Sequence, residues 1–342
     1  MAWAEICWFG LAALLAAFLT WRVRAHSLAR GVLDVPNSRS SHTVATARGG
    51  GLAIVTISVL GILISFGAFG LPIEVSIALF AGGVLVGAIG YADDRWSLPA
   101  LPRFGVHLIA AAIAVFLIYF VARDTDAAMG ITGWIISVVA VIAVVWSINL
   151  FNFMDGIDGI AASQALFVIL TSALLPGVGG ANDLGLDASF VLLVSAGACL
   201  GFLVWNWPPA KIFMGDVGSG FLGFWLAALA LWLDASGLLS YWTAITLNAV
   251  FIADATVTLV HRILQGERWY EAHRSHAYQI LARRWGGHFK VTMSLWLVNL
   301  AVVLPLGFAS HIWPQAAPAI AVSSVTVLAC VCLFFGAGSK AP

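Results

Sequence analysis

The chain has 342 residues, of which 61% are hydrophobic and only 9% are charged, and its mean hydropathy is +0.99. Soluble domains carry about 25% charged residues, so this composition excludes an ordinary water-soluble fold and indicates lipid as the solvent. The 16 basic and 16 acidic side chains balance, which argues against a nucleic-acid-binding protein.

Eleven apolar runs follow one another along the chain, each near the ~20 residues that a membrane span needs. They are continuously apolar, without the alternation of a barrel strand, and therefore predict helices. The runs lie near 2–21, 49–70, 75–92, 103–122, 131–148, 159–176, 188–205, 218–235, 240–260, 289–311 and 315–336. The sequence thus predicts an all-α integral membrane protein of ten or eleven transmembrane helices, with a retained first span and a single domain over residues 1–342.

The basic residues fix a preferred orientation of these spans. With the N-terminus in the periplasm, fifteen of the sixteen Lys and Arg residues fall in cytoplasmic loops or the tail, and only Arg123 lies outside. The positive-inside rule strongly favours this arrangement. We therefore predict a bacterial inner-membrane protein with a cytoplasmic C-terminus, two long cytoplasmic loops at about 22–48 and 261–288, and a cytoplasmic active-site cleft.

Acidic residues appear where spans meet the predicted cytoplasmic face, and carboxylates at membrane depth usually have a function. Asp93 and Asp94 end the third span, although helix flanking in water would explain this pair equally well. The string from Asn149 to Gly159 adds Asn152, Asp155 and Asp158. On a continuous helix, Asn149, Asn152 and Asp155 would share one face and Asp158 would extend it. This alignment favours function over a simple polar turn.

Two further segments carry polar groups on the same predicted face. Lys211 and Asp216 lie between the seventh and eighth spans, beside a helix start that suits a phosphate and a metal. His273, Arg274 and His276 lie in the 261–288 loop. No third ligand for zinc stands near these histidines, so the basic neighbours favour an anion site, with lipid headgroups as the alternative partner.

The alternation of acids and bases points to a diphosphate substrate with a divalent cation. Several carboxylates would repel an anion unless a cation intervened, and Mg²⁺ completes its shell with substrate phosphates and water. Mg²⁺ is therefore the expected cofactor, with Mn²⁺ as an alternative. A phosphoryl-type transfer follows.

Five motifs, in order, resemble the polyprenyl-phosphate N-acetylhexosamine-1-phosphate transferases of glycosyltransferase family 4. The matching strings are D-x-P-N-x-R-x-x-H (34–42), RGGG (48–51), Y-x-D-D (91–94), N-x-x-N-x-x-D-G-I-D-G (149–159) and N-x-P-P-A-K-I-F-M-G-D-x-G-S (206–219). The His-Arg-Ser-His run at 273–276 resembles the O-antigen-initiating branch. The resemblance implies transfer of a sugar phosphate from a UDP-N-acetylaminosugar to polyprenyl phosphate, with release of UMP.

The resemblance also implies roles for individual residues. Asp216 is expected to bind Mg²⁺, together with Asp155. Catalytic roles are expected for Asp93, Asp94, Asp155, Asp158, His273 and His276. Substrate contacts are expected from Arg39, His42, Asn152, Asn206, Lys211 and Arg274. The sugar, the polysaccharide pathway and the oligomeric state stay open, with a homodimer among the options.

Two other classes of membrane protein share some of these features. A secondary transporter also keeps charges in broken helices, but its polar groups should lie near mid-span. A CDP-alcohol phosphatidyltransferase also uses Mg²⁺ and aspartates, but its D-G-x-x-A-R signature is absent after Asp155. The transferase remains the favoured function.

Overall fold

The computed structural model describes residues 3–36, 44–121, 130–178, 184–267 and 274–339. Its helices are α1 (Trp3–Arg30), α2 (Gly51–Phe69), α3 (Ile73–Trp96), α4 (Ala100–Val115), α5 (Ile131–Met154), α6 (Ile160–Leu174), α7 (Leu186–Asn206), α8 (Asp216–Ala235), α9 (Tyr241–Leu247), α10 (Ala249–Leu264), α11 (Ala277–Trp285), α12 (His288–Val298), α13 (Leu304–Ile312) and α14 (Ala317–Phe334). A π-helical stretch, Phe116–Val121, extends α4, and another, Asn299–Val303, joins α12 to α13.

Within the described residues, ten helices are long and apolar enough to cross a membrane. The pair α9 and α10 would supply an eleventh span, but it is bent by 75° at the break. This count confirms the predicted all-α membrane protein of ten or eleven spans. The orientation of the bundle relative to the cytoplasm stays a prediction.

The centre of the bundle is formed by α6, α7 and α8, whose spans are 78–83% buried, against 17% for α1 and α14. Apolar burial between helices cannot drive association inside lipid, so close packing and buried hydrogen bonds must hold them. Trp225 of α8 donates to Ser195 of α7 at 2.9 Å. Asn299 donates to Gln164 of α6 at 2.8 Å. These polar contacts fix the inner helices against their neighbours.

One end of the bundle is tied together by the loop between α7 and α8. This loop pairs with the segment before α2, where Phe213 N–H donates to Ala47 O and Gly50 N–H donates to Phe213 O. A short antiparallel pair, β1 (Leu33–Asp34) with β2 (Thr46–Ala47), lies beside it. The starts of α2, α6 and α8 and the ends of α3, α5 and α7 therefore meet at one face.

Two loop boundaries differ from the sequence predictions. Helix α1 continues to Arg30, so the loop predicted to start at residue 22 begins about two and a half helical turns later. The predicted loop 261–288 contains the end of α10 and the whole of α11. Both errors arise because charged residues end an apolar run without ending a helix, since Arg and Lys are good helix formers.

Candidate active site

Three carboxylates and two guanidinium groups cluster where α3 ends and α8 begins. We call this set the Asp216 cluster; its members are Arg48, Asp93, Asp94, Arg103 and Asp216. They come from four separate parts of the chain: the residue before the glycines of α2, the end of α3, the first turn of α4 and the first residue of α8. The fold thus brings together two acidic motifs that stand more than a hundred residues apart.

Asp94 fixes the start of α8 within this cluster. Its two carboxylate oxygens accept hydrogen bonds from the N–H groups of Asp216, at 2.8 Å, and Val217, at 3.1 Å. A carboxylate is favourable there because the first N–H groups of a helix lack partners within the helix. Gly215 has φ +77°, and a Cβ at this position would collide with the Asp94 carboxylate. The glycine therefore lets α3 reach the end of α8.

The Asp216 carboxylate is flanked by a guanidinium group on each side. Arg48 Nη2 lies 3.0 Å from Asp216 Oδ1 and also 2.8 Å from Asp94 Oδ1. Arg103 Nη1 lies 3.4 Å from Asp216 Oδ2 and also pairs with Asp93. Each arginine thus bridges Asp216 to one residue of the Asp93–Asp94 pair.

Asp155 adds a fourth carboxylate beside the cluster. Burial raises the pKa of the Asp155 carboxyl well above its ordinary value, and the nearby Asp216 and Asp94 carboxylates raise that pKa further. Arg48 opposes this shift. With every group ionised, four carboxylates face two guanidinium groups, an excess of two negative charges. The charge of a divalent cation would balance them.

The donor set fits Mg²⁺ only when substrate oxygens complete the coordination. Among the described residues, no three His, Cys, Asp or Glu side chains group closely enough to hold a metal by themselves. Mg²⁺ usually takes one or two carboxylates and fills its octahedron with water and phosphate oxygens. Asp216 could serve as such a carboxylate if Mg²⁺ took the place of one of the arginine nitrogens that contact its two oxygens.

Asp158 and Asn206 brace the two loops at this end of the bundle. Asp158 Oδ2 accepts from Ala210 N–H at 3.0 Å. Asn206 Oδ1 accepts from Gly159 N–H at 2.9 Å, and its amide donates to Ile212 O at 2.9 Å. Hydrogen bonds of both side chains therefore connect the loop after α5 to the loop after α7.

Asp158 lines a cavity of about 630 Å³, which we call the Asp158 cavity. His288 Nδ1 lies 3.0 Å from Asp158 Oδ1 at its wall. Its other lining residues combine cations, an amide and aromatic rings: Arg274, Arg283, Gln279, Phe213 and Phe289. Such a surface can hold an anionic ligand that also carries a flat ring.

A second cavity, of about 380 Å³, begins at Asp216 itself, and we call it the Asp216 cavity. Its polar end carries Asp93, Arg103, His107 and Asn152. Its remaining walls are largely apolar: Ile89, Leu101, Phe104, Ile148 and Phe153. Among the described residues, buried Arg103 Nε and His107 Nδ1 find no hydrogen-bond partner. Unpaired buried polar atoms are costly, so a ligand group in this cavity would relieve them.

His276 lies in the interior rather than on a cavity wall. It is 3% exposed, and its Nδ1 lies 3.3 Å from the buried Asp254 carboxylate of α10. Asp254 also accepts from the N–H groups of Ala277 and Tyr278, both at 3.0 Å. The pair therefore anchors the first turn of α11 to α10.

The remaining predicted substrate residues are dispersed. Lys211 is exposed, and its ammonium lies 5.4 Å from the ring centre of Trp205, on the side of α1. Asn152 donates to Ser219 Oγ at 3.2 Å within the first turn of α8. Arg39, His42 and His273 lie outside the described residues.

Comparisons with known proteins identify the family of the chain. The model of the family described as glycosyl transferase family 4 matches residues 76–234. A Bacillus subtilis (strain 168) protein named probable undecaprenyl-phosphate N-acetylglucosaminyl 1-phosphate transferase is 30% identical over 85% of this chain and 81% of its own length. The Mycobacterium tuberculosis H37Rv decaprenyl-phosphate N-acetylglucosaminephosphotransferase is 30% identical over 94% of this chain and 87% of its own. The chain belongs to glycosyl transferase family 4.

A third match covers a smaller part of the chain. A phospho-N-acetylmuramoyl-pentapeptide-transferase of Chlamydia pneumoniae is 31% identical over 45% of this chain and 40% of its own length. The predicted family and the phosphoglycosyl transferase class are thereby confirmed for this family 4 protein. A secondary transporter or a CDP-alcohol phosphatidyltransferase has no support among these matches.

One predicted arrangement in the family 4 chain is wrong. The polar stripe from Asn149 to Asp158 does not run along one helix face, because α5 ends at Met154 and Asp155 leaves the helical conformation. Asn149 and Asn152 line the Asp216 cavity, whereas Asp158 lines the other cavity. The glycine-containing turn splits the motif between two sites.

Sequence reasoning overlooked three residues of the site. The sequence pattern gives Arg103 a role only in topology and includes His107 in an apolar span, yet both line the Asp216 cavity. Asp254 lies in the middle of the predicted span 240–260 and holds His276. Each was detectable, since an ionisable side chain inside a span is expensive and usually marks a function.

Proposed function

We propose that the chain transfers an N-acetylaminosugar 1-phosphate from a UDP-sugar to polyprenyl phosphate. The observation that supports this most is that Asp216 lies at the polar end of a largely apolar cavity, three residues after Phe213, which lines the more highly charged Asp158 cavity. The relatives named for undecaprenyl-phosphate and decaprenyl-phosphate acceptors favour a polyprenyl phosphate lipid. Their shared sugar, N-acetylglucosamine, is the first donor to test.

The Asp158 cavity suits the nucleotide half of the donor. Phe213 offers a ring on which a base can stack, a contact worth about 1–3 kcal/mol per base in nucleic-acid complexes. Asp158 and Gln279 supply hydrogen-bonding groups for its edge, and Arg274 and Arg283 supply positive charge for a diphosphate. The volume, about 630 Å³, lies in the range of small-molecule sites.

The Asp216 cavity suits the phosphate end of a lipid. Its apolar walls can contact the first isoprene units, and its polar end holds two buried nitrogens, Arg103 Nε and His107 Nδ1, for which the described part of the chain supplies no hydrogen-bond partner. A phosphate oxygen would accept from both. A water-soluble sugar nucleotide would leave the apolar walls uncovered, so the two substrates are assigned to opposite cavities.

The chemistry follows from this placement. A phosphate monoester has a second pKa near ~6, so the acceptor is largely dianionic at neutral pH and needs no strong base. Its oxygen attacks the β-phosphorus of the UDP-sugar and forms a new P–O bond. The bond from that phosphorus to the bridging oxygen breaks, and UMP leaves with the electron pair. The sugar C1–O bond is untouched, so the anomeric configuration is kept.

The protein's task is to position the reactants and stabilise charge, which dominates phosphoryl transfer. Arg48 and Arg103 would face the transferring phosphoryl group from two sides of Asp216, while Asp94 keeps the start of α8 in place. Asp216, with Asp155 nearby, would hold Mg²⁺. When bound, Mg²⁺ would supply positive charge to the diphosphate.

The test uses the full chain in detergent or nanodiscs with Mg²⁺, undecaprenyl phosphate and a panel of UDP-sugars. We expect UMP release matched by a lipid-diphosphate-sugar in mass spectrometry. UMP without the lipid product would overturn the transfer reaction, as would no turnover of any donor by folded protein. The panel includes UDP-N-acetylfucosamine and UDP-N-acetylquinovosamine, whose preferential use would support the O-antigen-initiating role.

We also propose that this end of the bundle faces the cytoplasm of a bacterial inner membrane, because the basic loops lie there. A cysteine placed at Gln265, in the exposed turn after α10, tests this orientation. It should resist a membrane-impermeant thiol reagent in intact cells and react after lysis. A cysteine at Ser236, at the far end of α8, should react in intact cells, and the reverse pattern would overturn the orientation.

A further inference from the structure

The turn that follows α14 folds back onto the segment that leads into α11. We call residues Gly336–Ser339 the α14 turn. Gly338 N–H donates to Ser275 O at 2.8 Å, and Ala337 O lies 2.9 Å from His261 Nδ1 on α10. Ala337 is fully buried and packs with Ala277 and Cys332 in a small cluster apart from the main core. The turn thus contacts both helices that flank the 265–276 connection.

The proton on His261 has a definite position in this contact. Ala337 O is a main-chain carbonyl oxygen and can only accept, so its contact of 2.9 Å with His261 Nδ1 requires a ring proton on Nδ1. Nδ1–H therefore donates to Ala337 O. On the other side of the ring, the Gln265 side-chain amide lies 3.0 Å from His261 Nε2. The bond between α10 and the α14 turn is therefore directional.

Gly338 is fitted to this place in two respects. Its φ of +77° lies in the left-handed region, which side chains with a Cβ disfavour. A Cβ there would also come within 2.6 Å of His261 Cβ and Nδ1. Any larger residue would push the turn away from α10 and weaken the bond to Ser275.

Ser275 joins the α14 turn to the Asp158 cavity through the main chain. The preceding residue, Arg274, lines that cavity, as does Gln279 in the first turn of α11. Arg283, also on the wall, donates to Arg274 O at 3.0 Å. On the other flank, Asp254 holds the N–H groups of Ala277 and Tyr278. The cavity wall formed by α11 is thus fastened from two sides.

We propose that the α14 turn is a positioning element for the nucleotide substrate: it holds Arg274 and the start of α11 against the Asp158 cavity. This inference rests on the proposed function, which assigns the nucleotide to that cavity. A displacement of the turn should weaken donor binding and leave the lipid acceptor, which occupies the other cavity, unaffected.

The first test substitutes Gly338→Ala in the full chain. We expect KM for the UDP-sugar, and Kd for UMP or UDP measured by calorimetry, to rise about tenfold, while KM for undecaprenyl phosphate changes less than about twofold. The matched control is Gly237→Ala, which has a similar φ of +68° but open space around its Cβ in the turn after α8. It carries the same backbone strain at the opposite end of the bundle and should leave both KM values unchanged.

The second test examines the His261 bond directly and covers the case that Gly338→Ala does not fold. His261→Asn keeps a side-chain N–H near Nδ1, whereas His261→Leu removes it. We expect the leucine variant to raise donor KM and the asparagine variant to restore much of the loss, as one hydrogen bond is worth about a few-fold in affinity. A folded leucine variant with wild-type donor KM would overturn the proposal.

Other outcomes separate this inference from the proposed function. If the variants raise the KM of both substrates equally, or lower only the melting temperature, the α14 turn has a purely structural role and the proposal is wrong. If the wild-type protein itself binds no uridine nucleotide, the assignment of the Asp158 cavity fails instead.

Discussion

The two cavities at this end of the bundle differ in what lines them. The Asp158 cavity is larger, about 630 Å³, and presents Arg274, Arg283 and Asp158 to its contents. The Asp216 cavity is about 380 Å³ and is mostly apolar beyond its end at Arg103. Both cavities have apolar walls, but the Asp158 cavity combines them with more polar surface than the Asp216 cavity.

The loop between α7 and α8 connects residues that line the two cavities. Phe213 faces the Asp158 cavity, and Asp216, three residues later, faces the other. Asp94 and Gly215 set the sharp entry into α8 that separates them. The proposed reaction requires the diphosphate of a donor in the Asp158 cavity to reach Asp216, where the phosphate of the lipid acceptor would lie.

The largest effect is expected at the Asp216 cluster. Asp216→Asn should lower kcat about a thousandfold, because it removes the carboxylate that both arginines contact and that would hold Mg²⁺. Binding of UMP, measured without turnover, should change little. Chelation of divalent cations should likewise stop the wild-type protein. Near-normal kcat in the folded variant would show that Asp216 is not at the reaction centre.

A change in the Asp158 cavity should act on one substrate. Asp158→Asn keeps one oxygen for Ala210 N–H but removes the charge that faces His288. We expect KM for the UDP-sugar to rise about tenfold, since charge-assisted hydrogen bonds are about twice as strong as neutral ones. The matched control is Asp234→Asn, at the other end of α8. Unchanged donor KM would remove the nucleotide from this cavity.

A smaller effect is expected in the Asp216 cavity. His107→Leu removes a buried nitrogen that the described protein groups leave unpaired, at little cost in volume. KM for undecaprenyl phosphate should rise about fivefold, the worth of roughly one hydrogen bond. His26→Leu, on the exposed surface of α1, is the control. If His107→Leu instead raised donor KM, the acceptor assignment would be wrong.

The smallest effect concerns the wall of the Asp158 cavity. Tyr278 O–H donates to Phe153 O at 2.8 Å and so ties α11 to α5. Burial raises the pKa of Tyr278 well above its ordinary value, so the phenol keeps this proton throughout the usual assay range. Tyr278→Phe should cost about 1 kcal/mol of unfolding free energy, seen as a lower melting temperature. Tyr241→Phe, on α9, should lower the unfolding free energy by less. If both variants lost the same stability, the hydrogen bond from Tyr278 to Phe153 O would not stabilise the fold as described.

Much of this architecture was predictable because bilayer thickness imposes run length. Eleven apolar runs match ten long helices and one bent pair, and the acids at the run ends do meet at one face. The motifs placed Asp93, Asp94 and Asp216 in one site, where the structure joins them through two arginines. The apolar runs and the acidic motifs are both visible in the local sequence, so these features could be predicted from it.

The rest depends on contacts between distant segments, which no local pattern encodes. Nothing near Arg103 in sequence indicates that it bridges Asp93 and Asp216. A helical period through Asn149–Asp158 cannot show that α5 stops at Met154 and sends Asp158 into a different cavity. His276 seemed free to bind phosphate because its partner, Asp254, lies on another helix.

The most direct test of the account measures both KM values for Asp158→Asn and His107→Leu in the same lipid environment. The account predicts a crossed pattern: the first variant raises KM for the UDP-sugar alone, and the second raises KM for undecaprenyl phosphate alone. If both variants weakened the same substrate, the two cavities would not hold different substrates, and the division of the site at Asp216 would be contradicted.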